Sequence, residues 1–320
     1  MENIIKGFPE QLKVGLGLGS QIKLDKKYDS VVVSGMGGSI IAGDILLTLI
    51  SHINKDKKPT IFINREYGLP DWVGVDDLVV CISWKGTTEE TISSFRVAAG
   101  KGLKTIVISK GGEVDEIEKL AQDNGSPLIR LPDEKIPPRF AVGYMTGAII
   151  GLMGLGDELN FDITAEDVEQ LSIEGESIAG NIGKKIPLIY SSFEWRKLPS
   201  FWKILFNENA KIPAFWNYFP GLAHNEIASL ENGNKSFYPI MIVDELEKGA
   251  IKSNFDAAIA IFNKLGYNCS IVNLSAGSKL LEKILKNYIL ALWTSFYLAK
   301  KIGVDPEETR LIDEFKEFKK

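Results

Sequence analysis

Five short strand-like stretches in the first half of the chain are each centred on apolar residues: SVVVSG (30–35), TIFIN (60–64), LVVCIS (78–83), KTIVIS (104–109) and PLIRL (127–131). A strand that is apolar on both faces belongs inside a sheet covered on both sides, which in practice means a parallel sheet with helical crossovers. Helical patterns fall between most of these runs, at SIIAGDILLTLI (39–50), TTEETISSFRVAAG (87–100) and EVDEIEKLAQD (113–123). Strand and helix in alternation predict an α/β layer. The longest apolar run, AVGYMTGAIIGLMGLG (141–156), is short for a bilayer and rich in glycine, so it is expected to be a buried helix.

A polar helical stretch, TAEDVEQLSIEGESIAGNI (164–182), then connects to a second α/β pass. KKIPLIYSS (184–192), SFYPIMIV (236–243) and NCSIVNLS (268–275) are strand candidates, and PAFWNYF (213–219) reads as strand or irregular. Two helical segments close the chain, 277–303 and 307–320. The expectation is two tandem α/β domains, 1–153 and 154–320, each a mainly parallel sheet flanked by helices, the second carrying C-terminal helices. The first strand of the second domain runs into SSFEWRKLP instead of a glycine-rich loop. If the halves are a duplication, only the first has kept anion-binding loops.

Composition excludes several functions. With 320 residues, 45% of them hydrophobic, the chain can bury a large core. A formal net charge of −5 offers no attraction to nucleic acid or to an anionic membrane, and neither is an expected partner. MENIIKGFPEQLKVG lacks the apolar core of a signal peptide. The two cysteines, Cys81 and Cys269, lie in strand-like segments and read as buried free thiols in a reducing cytoplasm. With two histidines, His52 and His224, and no cysteine pair at zinc spacing, no metal site is expected. His52 sits beside charges and a proline and reads as a surface loop.

Two strand-to-helix junctions share one character: SGMGGSIIAGD (34–44) and SWKGTTEET (83–91). In an open parallel sheet, ligands bind at the carboxyl ends of strands, where these junctions fall. Small residues let the backbone come close to a ligand, and free N–H groups at a helix start favour an anion. Gly37, Gly38, Ser39, Ser83, Thr87 and Thr88 supply such groups, with Lys85 among them. Thr87 with Glu90 also fits a capping box, an alternative explanation of that threonine. A dinucleotide loop would need glycine at position 40, which is Ile40, and no GK[ST] follows to make a P-loop.

SWKGTTEET resembles the serine- and threonine-rich loop of sugar isomerase (SIS) domains. Together with SGMGGS the likeness narrows to the bifunctional phosphoglucose/phosphomannose isomerases, a branch of the phosphoglucose isomerase superfamily. Family loops run Ser-Tyr-Ser-Gly-Asn-Thr. Ser83, Gly86 and Thr88 match, whereas Trp84, Lys85 and Thr87 replace the tyrosine, second serine and asparagine. The resemblance implies two SIS domains and makes Ser39, Ser83 and Thr88 phosphate ligands, with Lys85 where a hydroxyl is usual.

The likeness extends to the chemistry of aldose–ketose isomerisation. That reaction needs a base between C2 and C1, donors for the enediolate and an acid–base pair for ring opening, and the chemistry that the resemblance implies calls for no cofactor. FNENAKIPAFWNYFPGLAHNEI (206–227) is similar to the family's Asn-Glu-Asn-Ala-Lys and His-Asn-Glu motifs, which would make Glu208 the base and His224 the ring-opening group, with Glu226 supporting. KIPPRFAVGYMTG (135–147) resembles the Pro-Pro-Arg motif, giving Arg139 the enediolate. VDPEETRLIDEFKEFKK (304–320) places Thr309 and Lys316 two helical turns apart. By the resemblance Thr309 tolerates both C2 epimers and Lys316 assists ring opening. The implied substrates are hexose 6-phosphates, glucose and mannose 6-phosphate exchanging with fructose 6-phosphate. The implied assembly is a cytoplasmic homodimer in which His224 crosses the interface. A non-catalytic sugar-phosphate sensor and an isomerase of another phosphosugar, such as an amino sugar, are the competing readings.

Overall fold

A computed structural model describes residues 1–53, 59–112, 115–156 and 161–319. The chain forms two compact units, Gly7–Asn160, and Met1–Lys6 together with Phe161–Lys320. The opening helix α1 (Glu2–Lys6) therefore belongs with the second unit.

The first unit holds α2 (Phe8–Gly19), β1 (Ser30–Ser34), α3 (Gly37–His52), β2 (Thr60–Asn64), β3 (Asp77–Ile82), α4 (Glu89–Gly100), β4 (Thr105–Ser109), α5 (Glu116–Asp123), β5 (Leu128–Arg130) and α6 (Val142–Leu152). The five strands are parallel, in the order β2-β1-β3-β4-β5. All five residues of β1 and of β4 are buried, the apolar centres Val31–Val33 and Ile106–Ile108 together with the polar residues that flank them. Val32, Val79, Cys81 and Val107 pack beneath Ile92 and Phe95 of α4 and Ile117 of α5. The chain leaves β1 for one side of the sheet and continues from β3 to the other, so the topological switch point lies between these two strands.

The run at 141–156 is the buried helix expected: every residue of α6 is buried. Its glycines admit a second backbone. A β-carbon on Gly147 would meet the Leu12 carbonyl oxygen at 2.2 Å, and one on Gly151 the Leu16 oxygen at 2.4 Å. Reciprocally, Gly15 and Gly19 of α2 lie against the carbonyls of Tyr144 and Ala148. The two helices thus meet main chain to main chain.

The second unit adds α7 (Ala165–Ile182), β6 (Ile186–Ser192), α8 (Leu198–Asn209), β7 (Phe215–Phe219), β8 (Phe237–Asp244), α9 (Gly249–Lys264), β9 (Ser270–Leu274), α10 (Leu280–Ile302) and α11 (Arg310–Phe318). Its four parallel strands run β7-β6-β8-β9, so the ambiguous PAFWNYF is an edge strand. Thr164 and Asp167 form a reciprocal capping box at the start of α7. The long α10 packs along α7 and α8 with most of its residues buried. Among the described residues no helix is long and apolar enough to cross a membrane.

Some local expectations give way. Helix α4 starts at Glu89 with Thr88 as N-cap and no side-chain cap bond, so the Thr87–Glu90 capping box does not form. The final helix begins at Arg310, one residue after Thr309, and position 320 lies outside the described residues, as do 113 and 114 of the expected third helix. His52 is the half-buried last residue of α3, its Nδ1 2.8 Å from the Thr48 carbonyl oxygen, and not part of a loop. Cys81 and Cys269 are free; burial pushes the Cys81 thiol up to about 12, while Cys269 is only half-buried.

Candidate active site

The first unit brings three segments together. After β1 the chain turns at Gly35 and Met36, and Gly37, in the left-handed region at φ 52°, opens α3. Gly38 follows because nothing larger fits: a β-carbon there would lie 2.4 Å from the Arg139 backbone nitrogen and 2.7 Å from the Pro138 carbonyl carbon. Ser39 is buried, and its Oγ accepts the Trp84 backbone N–H at 3.1 Å. The loop after β1 is thus bonded to the loop after β3, across the switch point.

In that second loop Ser83 is fully buried and donates its hydroxyl to Thr88 Oγ1 at 3.1 Å. Trp84, which the sequence marks only as a departure from the family tyrosine, proves central. Its indole N–H donates to the Ile136 carbonyl at 2.9 Å, and its ring stacks on Tyr144 of α6 at 6.1 Å between centroids. Ile136 begins the Ile-Pro-Pro-Arg stretch, so one side chain ties the loop to the arginine segment. A 3-10 turn, Pro138–Phe140, then presents Arg139, which is 2% exposed with its guanidinium 4.8 Å from the Phe140 ring centroid. Lys85 is exposed and has no hydrogen-bond or ion-pair partner among the described residues.

The loop is braced from below. Gly86 is left-handed at φ 70°, and a β-carbon on it would fall 2.0 Å from an Asp115 carboxylate oxygen. Asp115 caps α5 by accepting the Glu118 N–H at 2.9 Å and takes a hydrogen bond from the Ser109 hydroxyl. Burial raises its carboxyl above the ordinary value and outweighs the lowering by Ser109, the Gly111 backbone, Arg130 and Lys110. Neither Asp115 nor Trp84 carries a motif that would single it out in the sequence.

The second unit holds the other candidates. Glu208 is the half-buried penultimate residue of α8. Its neighbours are anchored: Asn207 donates to the Ile212 carbonyl at 2.7 Å, and Asn209 to Ser295 Oγ of α10 at 2.9 Å. His224 ends a 3-10 turn, Gly221–His224, and is exposed, with no partner among the described residues. Two residues on, Glu226 accepts the Tyr190 hydroxyl at 2.7 Å and the Asn217 amide at 2.6 Å. Burial first, and the Glu226 charge second, push the Tyr190 hydroxyl far above its ordinary range. Glu226 therefore anchors the turn that carries His224 to β6 and β7. Thr309 occupies the N-cap of α11 and Lys316 its exposed last turn. Among the described residues no group of three or more His, Cys, Asp or Glu could hold a metal.

This fold is that of tandem SIS-domain proteins. The solved structure of tagatose-6-phosphate ketose/aldose isomerase from Escherichia coli superposes with a TM-score of 0.69 at 13% identity, over 96% of this chain and 95% of that one. The family model of the bacterial phospho-glucose isomerase C-terminal SIS domain matches residues 172–318. A bifunctional phosphoglucose/phosphomannose isomerase of Aquifex aeolicus is 34% identical over 91% of this chain and 90% of its own length. A D-glucosamine-6-phosphate 4-epimerase of Sulfolobus acidocaldarius is 30% identical over 91% of this chain and 90% of its own. The chain belongs to the bifunctional phosphoglucose/phosphomannose isomerase family.

Proposed function

We propose that this chain is an aldose–ketose isomerase that interconverts glucose 6-phosphate and mannose 6-phosphate with fructose 6-phosphate through a cis-enediol. The observation that carries the reading is the backbone contact of Gly38 with Pro138 and Arg139, which sets a hydroxyl-lined anion loop against a buried arginine. Ser39, Ser83 and Thr88, with the backbone of Gly37 and Gly38, hold the sugar phosphate, and Lys85 adds a charge at its rim. Arg139 is rigid and largely desolvated, which suits it to a developing enediolate oxygen. Glu208 moves the proton from C2 to C1.

His224 opens the pyranose ring, with Lys316 assisting. Thr309 offers a short side chain and a hydroxyl near C2, so both epimers are accepted. The exposure of His224 on an anchored turn supports its donation to a second copy in a cytoplasmic homodimer. No step calls for a metal or an organic cofactor. A sensor would need the loops but not Glu208, Arg139 and His224 together.

The test is a coupled assay on purified protein with each hexose 6-phosphate, with and without chelator. Turnover of both substrates, insensitive to chelator, is expected. Glu208→Gln should bind sugar phosphate yet lose isomerisation by a factor on the order of 100 or more. Near-normal turnover of that variant would refute the base. The 30% identity to the 4-epimerase favours a second reading, chemistry on an amino-sugar phosphate. Glucosamine 6-phosphate consumed while both hexose 6-phosphates are left untouched would establish it instead.

A further inference from the structure

Lys211 is the one non-glycine residue with positive φ among the described residues, at 57°. It stands directly after Ala210, the C-cap of α8. The position following a helix C-cap is commonly left-handed, and glycine is its usual occupant because any β-carbon is strained there. A lysine offers no backbone advantage at such a place, so the strain is upheld by what its side chain does.

That side chain turns back. Nζ donates to the Glu208 carbonyl at 2.6 Å, to the Asn209 carbonyl at 3.4 Å and to the Asp305 carbonyl at 2.7 Å. Two of these oxygens end α8, where a cation also opposes the helix dipole. The third lies 94 residues away in sequence, four residues before Thr309. Helix α11 buries none of its residues, so little packing fixes its entry. Asp305 then secures the next step, accepting the Glu307 N–H at 2.7 Å.

We infer that Lys211 is a positioning residue that holds the end of the helix bearing Glu208 and the approach to Thr309 and Lys316 as one piece. The inference rests on the roles proposed above for those three residues. A flexible four-carbon stem with three donors suits the task, because the ammonium reaches carbonyls from two segments at once.

Lys211→Gly is the informative variant, since glycine relaxes the backbone while the bridge is lost. The melting point should hold or rise. Amides of 305–318 should exchange with solvent about tenfold faster. The kcat on fructose 6-phosphate should fall by a factor on the order of 10 to 100, with KM within about threefold. Lys211→Arg should recover part of the rate, and Lys211→Met, which retains the strain, should match glycine in exchange. Unchanged exchange in both the glycine and methionine variants would overturn the inference. So would faster exchange with unimpaired kcat, which would leave Lys211 a structural tie only. The exchange readout needs no turnover. A wild-type protein without isomerase activity would therefore count against the proposed function while the bridge is still judged on its own.

Discussion

Gly38→Ala adds one methyl group to the start of α3 and tests the construction of the whole anion site. The new β-carbon would sit 2.4 Å from the Arg139 nitrogen, 2.7 Å from the Pro138 carbonyl carbon and 2.8 Å from the Arg139 α-carbon. Ordinary contact begins near 3.4 Å, so the two segments must separate by about 1 Å (3.4 − 2.4). All three obstacles are backbone, and no side chain can swing away to relieve them. Alanine's better helix propensity returns at most about 1 kcal/mol, whereas overpacking of this kind costs about 1–3 kcal/mol. The clash decides the sign, and the melting point should fall by several degrees. A 1 Å displacement of Arg139 relative to Ser39 should also lower kcat/KM by a factor on the order of 100. Calorimetry with and without fructose 6-phosphate, together with the coupled assay, measures both. Gly17→Ala is the control: its β-carbon would meet nothing within 4 Å, so alanine should be neutral or slightly stabilising there. A Gly38→Ala protein with wild-type melting point and wild-type kcat/KM would refute the proposed contact.

Two further outcomes are expected. Lys85→Ser should raise KM for phosphorylated substrate about threefold to tenfold, more steeply at low salt, because an exposed ammonium acts through a screened charge; an unchanged KM would assign the binding at this position to backbone alone. Asp115 has a carboxyl raised above 3.8 by burial, so the folded state favours the protonated acid. That contribution is complete below 3.8 and is lost as pH rises through the higher folded value. Asp115→Asn keeps an acceptor for the Glu118 N–H, and its stability relative to wild type should therefore climb between pH 4 and pH 7. A pH-independent difference in unfolding free energy would contradict the burial argument.

Much of this was readable in the sequence where one local rule dominates. Strands β1, β3 and β4 announce themselves because burial on both faces forces unbroken apolar runs. Their junctions with α3 and α4 stand out because glycines and hydroxyls interrupt those runs so abruptly. Helix α2 escapes the same reading: its glycines lower helix propensity and blur the 3.6-residue pattern, and two of them, Gly15 and Gly19, are present for contact with α6. Bonds such as Trp84 to Ile136, 52 residues apart, follow no period at all. Thr87 misled because a capping box is a local pattern, whereas the start of α4 is set by the loop that Gly86 and Asp115 shape from outside the helix. The conformation of Lys211 was equally invisible, since lysine is no marker of a left-handed backbone.

The meeting of α2 and α6 has a consequence for how this protein tolerates change. Gly15, Gly19, Gly147 and Gly151 each face a carbonyl oxygen at 2.4 Å or less from where a β-carbon would stand, and α6 begins three residues after Arg139. In a saturation mutagenesis screen these four positions should admit nothing but hydrogen. They would score as essential although none of them is assigned a contact with substrate. A map of intolerant positions would thus draw a stripe along the contact of α2 with α6, and reading that stripe as a second binding site would be a mistake.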